Sequence, residues 1–246
     1  MISVVMPCAR MAHFLPDAVG SVMRQDVPVA EILVVDVGPD AETQSVCAGL
    51  ALAGAPVCAI EAPPCHPGVA RNLALAEARG EIVAFLDADD LWPAGKLARQ
   101  CARLAAAPGV DMVSGHVAYF DRLDPARLAP AADARVETVL HVHLGACLYR
   151  RALLARLGGF EPGLRYGEDV DLLLRMREAA IPFTILRAVT LYYRRHAGQM
   201  MLADDPRREG DFRRALMLSM ARRRRLGIAD ELPPLESHLE PARDAA

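Results

Sequence analysis

Two aspartates separated by one residue, Asp87 and Asp89, directly follow the apolar stretch EIVAFL. That stretch predicts a buried strand at 81–86, and ligand sites in open parallel sheets lie beyond the carboxyl ends of strands. Side chains two apart in an extended chain point the same way, so both carboxylates can address one ligand. Such oxygens suit Mg²⁺ or Mn²⁺, which in turn bind diphosphates. The alternative is a turn that caps the next helix, the role we assign to Asp90.

Three further groups have types and positions suited to a site. Asp36 ends a second predicted strand, where an acid can accept hydrogen bonds from a ribose or a base or begin a turn. The pair Glu168–Asp169 opens a predicted helix. One of its carboxylates could take a proton from an attacking hydroxyl, or both could be there because they favour the helix dipole. The segment Arg194–His196 could contact a diphosphate or form an exposed basic turn.

The elements that must position these residues are clearest in the first half of the chain. Short apolar segments alternate there with amphipathic ones, which is typical of β-α-β units in a parallel sheet. We predict helices that alternate with strands, the second of them capped by Asp40. The predicted strands are 2–6, 31–36, 56–60 and 81–86, and the predicted helices are 14–25, 40–52, 69–79 and 95–106.

The second half has a less regular pattern. A stretch rich in Pro, Asp and Ala at 122–135 predicts a mobile loop. The extended segments are 110–120, 139–149 and 182–193, and the helices are 168–179 and a basic amphipathic one at 211–225. We divide the chain into one α/β domain at 1–200, a basic helix at 201–229 and a disordered tail at 230–246. The domain itself has a nucleotide-binding half, about 1–110, and an acceptor half, about 111–200.

Composition excludes several classes of protein. A net charge of −3 gives no general reason to expect nucleic-acid binding. The six cysteines include no CxxC pair and no spacing with histidine that suits zinc. Only five apolar residues precede Pro7, too few for a signal peptide, and no apolar run is long enough to cross a membrane. We expect a cytoplasmic protein, whose 211–225 helix could rest on an anionic membrane surface or pack on the domain.

In its order of segments this sequence resembles family-2 glycosyltransferases. The likeness covers most of residues 1–200 and is collinear, which makes it more specific than any one motif. It implies a GT-A fold, with a Rossmann-like, mostly parallel sheet flanked by helices and a smaller antiparallel acceptor region. The segments that carry it are ISVVMPCARMAHFLPDAVGSVMRQ, EILVVDVGPDAET, GVARNLALAEARGEIVAFLDADDLW, GACLYRRALLARLGGFEPGLRYGEDVDLLLRM and YYRRHAGQM.

The resemblance implies roles for the two acidic groups. Asp87-Ala88-Asp89 matches the family's DxD element, with Asp87 beside the ribose and diphosphate and Asp89 as the direct metal ligand. Asp169 matches the catalytic base, and Glu168 lies beside it. The implied cofactor is Mn²⁺ or Mg²⁺.

Other positions match donor-binding elements of the family. Pro7 and Cys8 match a loop that contacts the nucleotide, and Arg71 lies in an ARN element that lines the nucleotide pocket in relatives. His196 falls where relatives place a histidine close to the metal and the diphosphate. Arg195, beside it, is expected to stabilise charge on the departing diphosphate.

Two departures affect the expected base pocket. Relatives commonly read P-T-Y-N after the first strand, with the tyrosine stacked on the base, but this chain has Ala9 in the tyrosine position. Relatives commonly read V-D-D-G-S after the second strand, where this chain has Val37 in place of the second acid. Stacking on a base contributes about 1–3 kcal/mol in nucleic-acid systems. The donor base is therefore left unassigned, with Arg10 or Arg71 as residues that could stack on it instead.

The expected function is inverting, metal-dependent transfer of a sugar from a nucleotide-diphosphate sugar to an acceptor hydroxyl. We expect acceptor contacts from the GACLYRR segment and from the loop at 121–138. The main alternative is a non-catalytic GT-A protein that binds a sugar nucleotide or a partner. A haloacid dehalogenase would have its DxD after the first strand, where this chain has Pro7-Cys8-Ala9, and a dehydrogenase would have GxGxxG there.

Overall fold

The computed structural model describes residues 1–200, 204–228 and 232–241. Helices cover both faces of a central sheet. The strands are β1 (Ile2–Cys8), β2 (Glu31–Val37), β3 (Val57–Ala62), β4 (Ile82–Phe85), β5 (Met112–Phe120), β6 (Leu123–Asp124), β7 (Ala129–Pro130), β8 (Val136–Val139), β9 (Leu148–Arg150) and β10 (Phe183–Arg194). The helices are α1 (Leu15–Met23), α2 (Ala41–Leu52), α3 (Pro67–Glu77), α4 (Lys96–Ala106), α5 (Arg151–Leu157), α6 (Glu168–Glu178) and α7 (Arg207–Leu226).

The central sheet is mixed and mostly parallel. Its order is β10-β5-β9-β4-β1-β2-β3, and β8 pairs with β5. β4, β1, β2 and β3 are parallel, and β10 is parallel to β5. β9 is antiparallel to both β4 and β5, and β8 is antiparallel to β5. The predicted α/β class is confirmed, and β4 lies where the two halves of the chain meet.

The core has one layer on each face of the sheet. β1, β2 and β4 are near-continuous apolar runs because both of their faces are covered, as in other parallel sheets. One layer packs Val22 of α1 and Leu97 of α4 against the sheet. The opposite layer packs Ala74 of α3 and Leu172 of α6. Full burial of an aliphatic side chain as large as leucine contributes about 1.5–3 kcal/mol, so these layers hold the strand ends in place.

Local sequence signals predicted the elements of the first half well. The strands and helices expected there all form, with ends that differ by a few residues. Asp40 caps α2 as predicted, because its Oδ1 accepts a hydrogen bond of 2.9 Å from the Thr43 N–H.

The second half differs from prediction at two places. The strand expected at 139–149 is interrupted: β8 ends at Val139, a 3-10 turn occupies Leu144–Ala146, and β9 begins at Leu148. His143 stabilises this turn because its Nδ1 accepts the Gly145 N–H at 3.2 Å. The loop expected at 122–135 contains the small β6–β7 hairpin, whose turn is closed by hydrogen bonds from two N–H groups to Asp124 Oδ1.

Asp90 does not cap a helix, and this corrects our expectation. α4 begins six residues later, at Lys96 after the N-cap Gly95, and this N-cap makes no side-chain hydrogen bond. Asp90 is buried, and its Oδ1 accepts the Arg194 N–H at 3.0 Å. It therefore joins the end of β10 to the segment after β4, a long-range contact that no local signal encodes.

The basic helix packs on the domain. Arg222 of α7 donates to Glu178 at 2.6 Å and to Asp171 at 3.0 Å, both on α6. On its outer side α7 exposes Leu216, Met217 and Met220. None of the helices that the structure describes combines the length and the apolar character needed to cross a membrane. A contact with an anionic surface and a cytoplasmic location both stay predictions.

The tail expected to be disordered is instead docked over 232–241, which corrects that prediction for these residues. His238 stacks on Phe183 with ring centroids 3.8 Å apart. The Glu240 N–H donates to the Ile185 carbonyl at 2.9 Å, which extends the contact along β10. Composition suggested disorder, but the tail buries apolar side chains such as Leu239 against the second core layer. The other predicted tail residues, 230–231 and 242–246, lie outside the described residues.

Candidate active site

A cleft of about 960 Å³ opens beyond the carboxyl end of β4. Its walls combine side chains from both halves of the chain, because β4 lies between the β1–β3 side of the sheet and the β5–β10 side. Most residues predicted for the site meet in this cleft. They are Pro7, Arg71, Asp87, Ala88, Asp89, Glu168, Asp169, Arg195 and His196.

The two carboxylates of the DxD element face different partners. Asp87 Oδ1 pairs with Arg71 at 2.7 Å, and Asp89 Oδ2 lies 2.9 Å from His196 Nε2. Burial raises the pKa of Asp89, and the nearby charge of Asp87 adds to this effect. Two carboxylates this close to each other favour a positively charged ligand. His196 thus lies beside Asp89, and the metal-binding role expected of these two residues stays a prediction.

Arg71 connects the two acidic groups of the site. Its Nη2 pairs with Asp87, and its Nη1 pairs with Glu168 Oε1 at 2.6 Å. The side chain is only 5% exposed. Burial alone would lower the pKa of Arg71, but the two carboxylates outweigh burial and raise it. Arg71 is therefore held by carboxylates and does not offer a free plane for stacking on a base.

Glu168 and Asp169 are adjacent but differ in environment. Gly167 precedes α6 with a φ of 73°, a left-handed conformation that glycine adopts without strain. This turn buries Glu168 against Arg71, and burial raises the Glu168 pKa despite that cation. Asp169 instead lines the cleft, with its Oδ1 accepting the Val170 N–H at 2.8 Å. Within the described residues Asp169 forms no ion pair, so it is the acid available to a ligand.

Two predicted nucleotide contacts lie behind the cleft wall. The Cys8 and Asp36 side chains are each 1% exposed and do not line the cleft. Asp36 Oδ2 accepts the Asp40 N–H at 3.3 Å, and burial raises the Asp36 pKa. Burial also raises the pKa of the Cys8 thiol. The structure does not bring these two side chains to the other predicted site residues.

Arg195 lines the cleft but is also engaged at its rim. Its Nη2 pairs with Glu137 at 2.6 Å, and its guanidinium lies 5.0 Å from the centre of the Tyr119 ring. The side chain is about half exposed, so the pair with Glu137 contributes little to stability and can exchange for a bound anion.

Sequence reasoning missed several cleft residues. They are Met11, Tyr119, His141, His143, Arg165, Tyr166, Tyr193 and Phe212. One signal was present, because the two histidines of HVH are two residues apart in a stretch predicted as extended, where side chains share a face. Phe212 carried no such signal, since α7 reaches the cleft only through its packing on α6 and the Gly167 turn.

A smaller cavity of about 300 Å³ adjoins the cleft on the side of β1 and β2. Ala9 and Val37, which stand at the positions of the missing tyrosine and acid, line both cavities. Arg10, with a φ of 58°, and Arg165 also line the smaller one. The space where a base-stacking ring was expected is thus open and bordered by two guanidinium groups.

The donor atoms in the cleft fit a divalent cation. Oxygen and nitrogen atoms of Asp87, Asp90 and His143 lie within 4.8 Å of one another. Asp90 Oδ2 is buried and has no hydrogen-bond partner in the part of the chain that the structure describes. Asp89 and His196 offer a second carboxylate and imidazole. Carboxylates with imidazole suit Mn²⁺, and carboxylates suit Mg²⁺, so the residues present agree with the expected cofactor.

Comparison with known families decides the identity of the domain. Residues 3–158 match the profile of glycosyl transferase family 2. The chain belongs to this family. A glycosyltransferase of Rickettsia typhi described as uncharacterized is 23% identical over 205 residues, which are 78% of this chain and 61% of the relative. The family-2 chain therefore spans about three fifths of that relative's length.

Solved structures of similar shape show the fold. S. aureus TarS 1-349 in complex with UDP-GlcNAc has a TM-score of 0.68 at 22% identity, over 89% of this chain and 65% of that one. A mannosyltransferase of Pyrobaculum calidifontis in complex with GDP-Man and Mn²⁺ has a TM-score of 0.60 at 20% identity, over 96% and 66%. The family-2 chain has the GT-A fold. Its family match ends at residue 158, before α6 and β10, so Asp169 and His196 are placed by the structure alone.

Proposed function

We propose that this chain is an inverting, metal-dependent glycosyltransferase that moves a sugar from a nucleotide-diphosphate sugar to an acceptor hydroxyl. One observation carries the proposal. The Asp89–His196 pair and the unpaired carboxylate of Asp169 line the same cleft, beyond the carboxyl end of β4. A single displacement requires a diphosphate and cation site close to a base, so this arrangement supports the proposal.

The donor would lie across the carboxyl ends of β1, β2 and β4. Its base and ribose would lie on the β1–β2 side, with the diphosphate at Asp87 and Asp89. Nucleotide sugars in the complexes of TarS and of the Pyrobaculum mannosyltransferase support this class of donor. A bound Mn²⁺ or Mg²⁺, held by Asp89 with Asp87 and His196, would neutralise charge that develops on the leaving diphosphate.

Asp169 acts as the general base in this proposal. Its carboxylate accepts the proton of the acceptor hydroxyl while that oxygen forms a bond to the anomeric carbon. The bond from the anomeric carbon to the diphosphate oxygen breaks in the same step, so the configuration inverts. General base catalysis of this kind contributes about 10²–10⁴ in rate.

The neighbouring charges hold the reacting groups in place. Arg71 fixes the orientations of Asp87 and Glu168 through a partly buried ion pair with Asp87 and a buried one with Glu168. Arg195 can leave its exposed partner Glu137 to donate to the departing diphosphate. Glu168 itself is buried and paired, so we assign it a positioning role next to Asp169.

A second candidate is a non-catalytic GT-A protein that binds a sugar nucleotide or a partner. The open space at Ala9 and Val37 favours it, because a donor base would lose an aromatic and an acidic contact. The cleft carboxylates oppose it, since binding alone does not need the unpaired acid Asp169 beside a cation site.

A donor screen tests the proposal. The purified chain is mixed with UDP-, GDP-, dTDP- and CDP-sugars, in Mn²⁺ or in EDTA, and thermal unfolding and slow donor hydrolysis are followed. We expect metal-dependent stabilisation and hydrolysis with one nucleotide. Stabilisation without hydrolysis, with or without added acceptors, would favour the binding protein. No response to any donor would contradict the proposal.

A further inference from the structure

Four aromatic rings line the cleft on the side of β5 and β10. They belong to Tyr119 of β5, His141 and His143 of the loop after β8, and Tyr193 of β10, and we call them the ring cluster. Two of the five tyrosines and two of the seven histidines of the chain thus stand in one wall of the cleft. The ring cluster comes from three separate segments that only the fold brings together.

The rings of the ring cluster contact each other in a chain. Tyr119 and Tyr193 have ring centroids 4.8 Å apart, Tyr193 and His143 are 5.5 Å apart, and His143 and His141 are 6.0 Å apart. These distances lie in the range of favourable aromatic pairs. The rings therefore support one another and present a continuous wall that needs little rearrangement to bind a ligand.

The ring cluster forms part of the cleft surface, although its two tyrosines also pack against the core with part of their area. Trp92 and Tyr149, which pack in the interior, are each 2% exposed, whereas no member of the ring cluster is classed with the buried residues. Apolar ring surface that remains open inside a concave site is a typical feature of small-molecule pockets. A partly open ring wall beside the candidate base Asp169 therefore indicates a ligand-binding surface.

Polar groups border the rings on the same wall. The Tyr119 hydroxyl lies 3.4 Å from His141 Nδ1, and Arg195 lies over the Tyr119 ring and pairs with Glu137. Burial raises the pKa of both Tyr119 and Tyr193, so both phenols stay protonated and can donate hydrogen bonds at neutral pH. The wall thus combines flat apolar faces with donors and acceptors at their edges.

A pyranose ring has the matching chemistry. One face of the sugar displays C–H groups with partial positive charge, which favour the negative face of an aromatic ring. Its equatorial hydroxyls point outward, where edge donors and acceptors can reach them. An acyclic alcohol has the hydroxyls but no such face, and a hydroxylated peptide side chain has too little apolar area to cover these rings.

The position of the ring cluster favours the acceptor over the donor. In the sheet order, β5 and β10 lie on the opposite side of β4 from β1 and β2, where the proposed donor base sits. Within the ring cluster His143 lies nearest the DxD element, since its ring nitrogen and the carboxylates of Asp87 and Asp90 lie within 4.8 Å of one another. At the other end of the ring cluster, Tyr119 lines the same cleft as the candidate base Asp169 and is close enough for the charge of Asp169 to add to the effect of burial in raising its pKa, so the rings adjoin the group that must meet the acceptor hydroxyl.

We propose that Tyr119, His141, His143 and Tyr193 form an acceptor subsite for a pyranose ring, so that the acceptor is a glycoside. This inference rests on the proposed function for its acceptor role. The GACLYRR segment, where we expected acceptor contacts, contributes little to this wall, because residues 145–149 are buried in the turn and strand β9.

Saturation-transfer NMR without a donor tests the sugar site directly. The probes are the methyl β-glycosides of glucose, galactose and N-acetylglucosamine at 10 mM, with glucitol as the acyclic comparison. We expect transfer from aromatic protons to the ring C–H groups of at least one glycoside, and none above background to glucitol. Equal transfer to glucitol, or no transfer to any glycoside, would overturn the inference.

Variants locate the site and provide a matched control. Tyr193→Leu and Tyr119→Leu should each reduce glycoside saturation transfer at least fivefold, and Tyr193→Phe should retain most of it. Tyr192→Leu makes the same change one residue away, where the ring packs on Phe120 outside the cleft. It should leave glycoside transfer unchanged, and an equal loss in Tyr192→Leu would overturn the assignment.

The nucleotide response separates this inference from the proposed function. In Tyr193→Leu the thermal stabilisation given by the nucleoside diphosphate found in the donor screen should be retained. If the stabilisation and the glycoside signal are lost together, the rings belong to the donor site and the acceptor assignment is wrong. If glycosides bind the wild-type chain but no donor does, the proposed function fails while the sugar site stands.

Discussion

At the donor end of the cleft the wall is made of small side chains, whereas at the other end it is made of rings. Ala9, Val37 and Cys65 leave open space beside β1 and β2, and the ring cluster closes the wall beside β5 and β10. A wall of small side chains discriminates weakly among bases, because few atoms contact the ligand. A preformed wall of rings discriminates by shape. Under the proposed function we therefore expect selectivity among ligands mainly at the β5–β10 end.

Two buried basic side chains, Arg71 and Lys96, support different parts of the cleft. Arg71 is paired with two carboxylates of the site. Lys96, the only lysine in the sequence, is buried over the Trp92 ring and donates to Gln100 Oε1 at 2.6 Å. Gln100 in turn donates to the carbonyls of Val113 and Ala146, next to the turn that carries His143. Arg71 thus connects Asp87 with Glu168. Lys96 supports the turn beside the ring cluster through its hydrogen bond to Gln100.

The largest expected effect is a loss of activity on substitution of Asp169, the candidate base. Asp169→Asn should lower kcat by about 10²–10⁴ because the acceptor hydroxyl loses its base. Nucleotide-induced thermal stabilisation should be retained, since Asp169 makes no ion pair within the described residues. Asp26→Asn, at an exposed bend after α1 and away from the cleft, is the matched control. Full activity in Asp169→Asn would show that the base is another group.

Arg71→Met should destabilise the fold by about 3–5 kcal/mol, because it leaves Glu168 and Asp87 as partly buried carboxylates without a cation. Denaturant unfolding measures the loss. Arg213→Met removes an exposed pair with Glu209 and should change stability by at most about 0.5 kcal/mol. An equal loss of unfolding free energy in the two variants would mean that the ion pairs of Arg71 with Asp87 and Glu168 stabilise the fold no more than an exposed pair does.

Lys96 should make stability depend on pH above neutrality. Burial lowers its pKa to about 7, so between pH 7 and 10 the unfolded chain binds more protons than the folded chain. Unfolding free energy therefore rises with pH, and between pH 7 and 9 this group contributes about 2 kcal/mol. Lys96→Met should lack that rise when compared with the wild type at each pH.

The single lysine permits a direct check of the same prediction. Chain labelled with ¹³C-lysine should give one side-chain Cε signal that titrates near pH 7. A Cε signal that titrates near pH 10 would contradict the proposed environment, as would parallel pH profiles of stability for Lys96→Met and wild type.

The smallest expected effect is a gain in nucleotide affinity at the open space beside β1 and β2. Ala9→Tyr should tighten binding of uridine diphosphate by about 1 kcal/mol, near the lower limit for stacking on one base, or about fivefold. Ala9→Leu fills similar space without an aromatic ring and should give less. Isothermal titration in Mn²⁺ compares the variants. Weaker binding in Ala9→Tyr would show that the open space is needed by the natural base.

The fold of the first half could be predicted because its signals are local. Buried parallel strands show as apolar runs, and helix starts show as capping residues such as Asp40. The turn at Leu144–Ala146 could not be predicted, since it depends on a hydrogen bond from Gly145 to His143 and on close contact of Gly145 with Leu191. The docking of 232–241 on β10 was missed for the same reason.

In the candidate site, too, some residues could be placed from the sequence and others could not. Asp87 and Asp89 could be placed because they directly follow a recognisable strand, and Asp169 because it opens a recognisable helix. Which of the two adjacent acids, Glu168 or Asp169, remains free could not be read from the sequence. That depends on Arg71, a residue almost a hundred positions earlier, which reaches Glu168 across the fold.

Local patterns and the resemblance of segments were enough to predict the order of strands and helices along the chain, the family and the acids at the centre of the cleft. Spacing of two residues in strands and of three or four in helices is enough to predict the elements, whereas the family and the roles of the acids follow from the resemblance of collinear segments. Only the tertiary structure decided that Arg71 joins both acidic groups, that Asp90 is buried under β10 and that four rings meet at one end of the cleft. These features depend on distances between residues far apart in the chain, which are set by the packing of helices on both faces of the sheet and not by any local pattern.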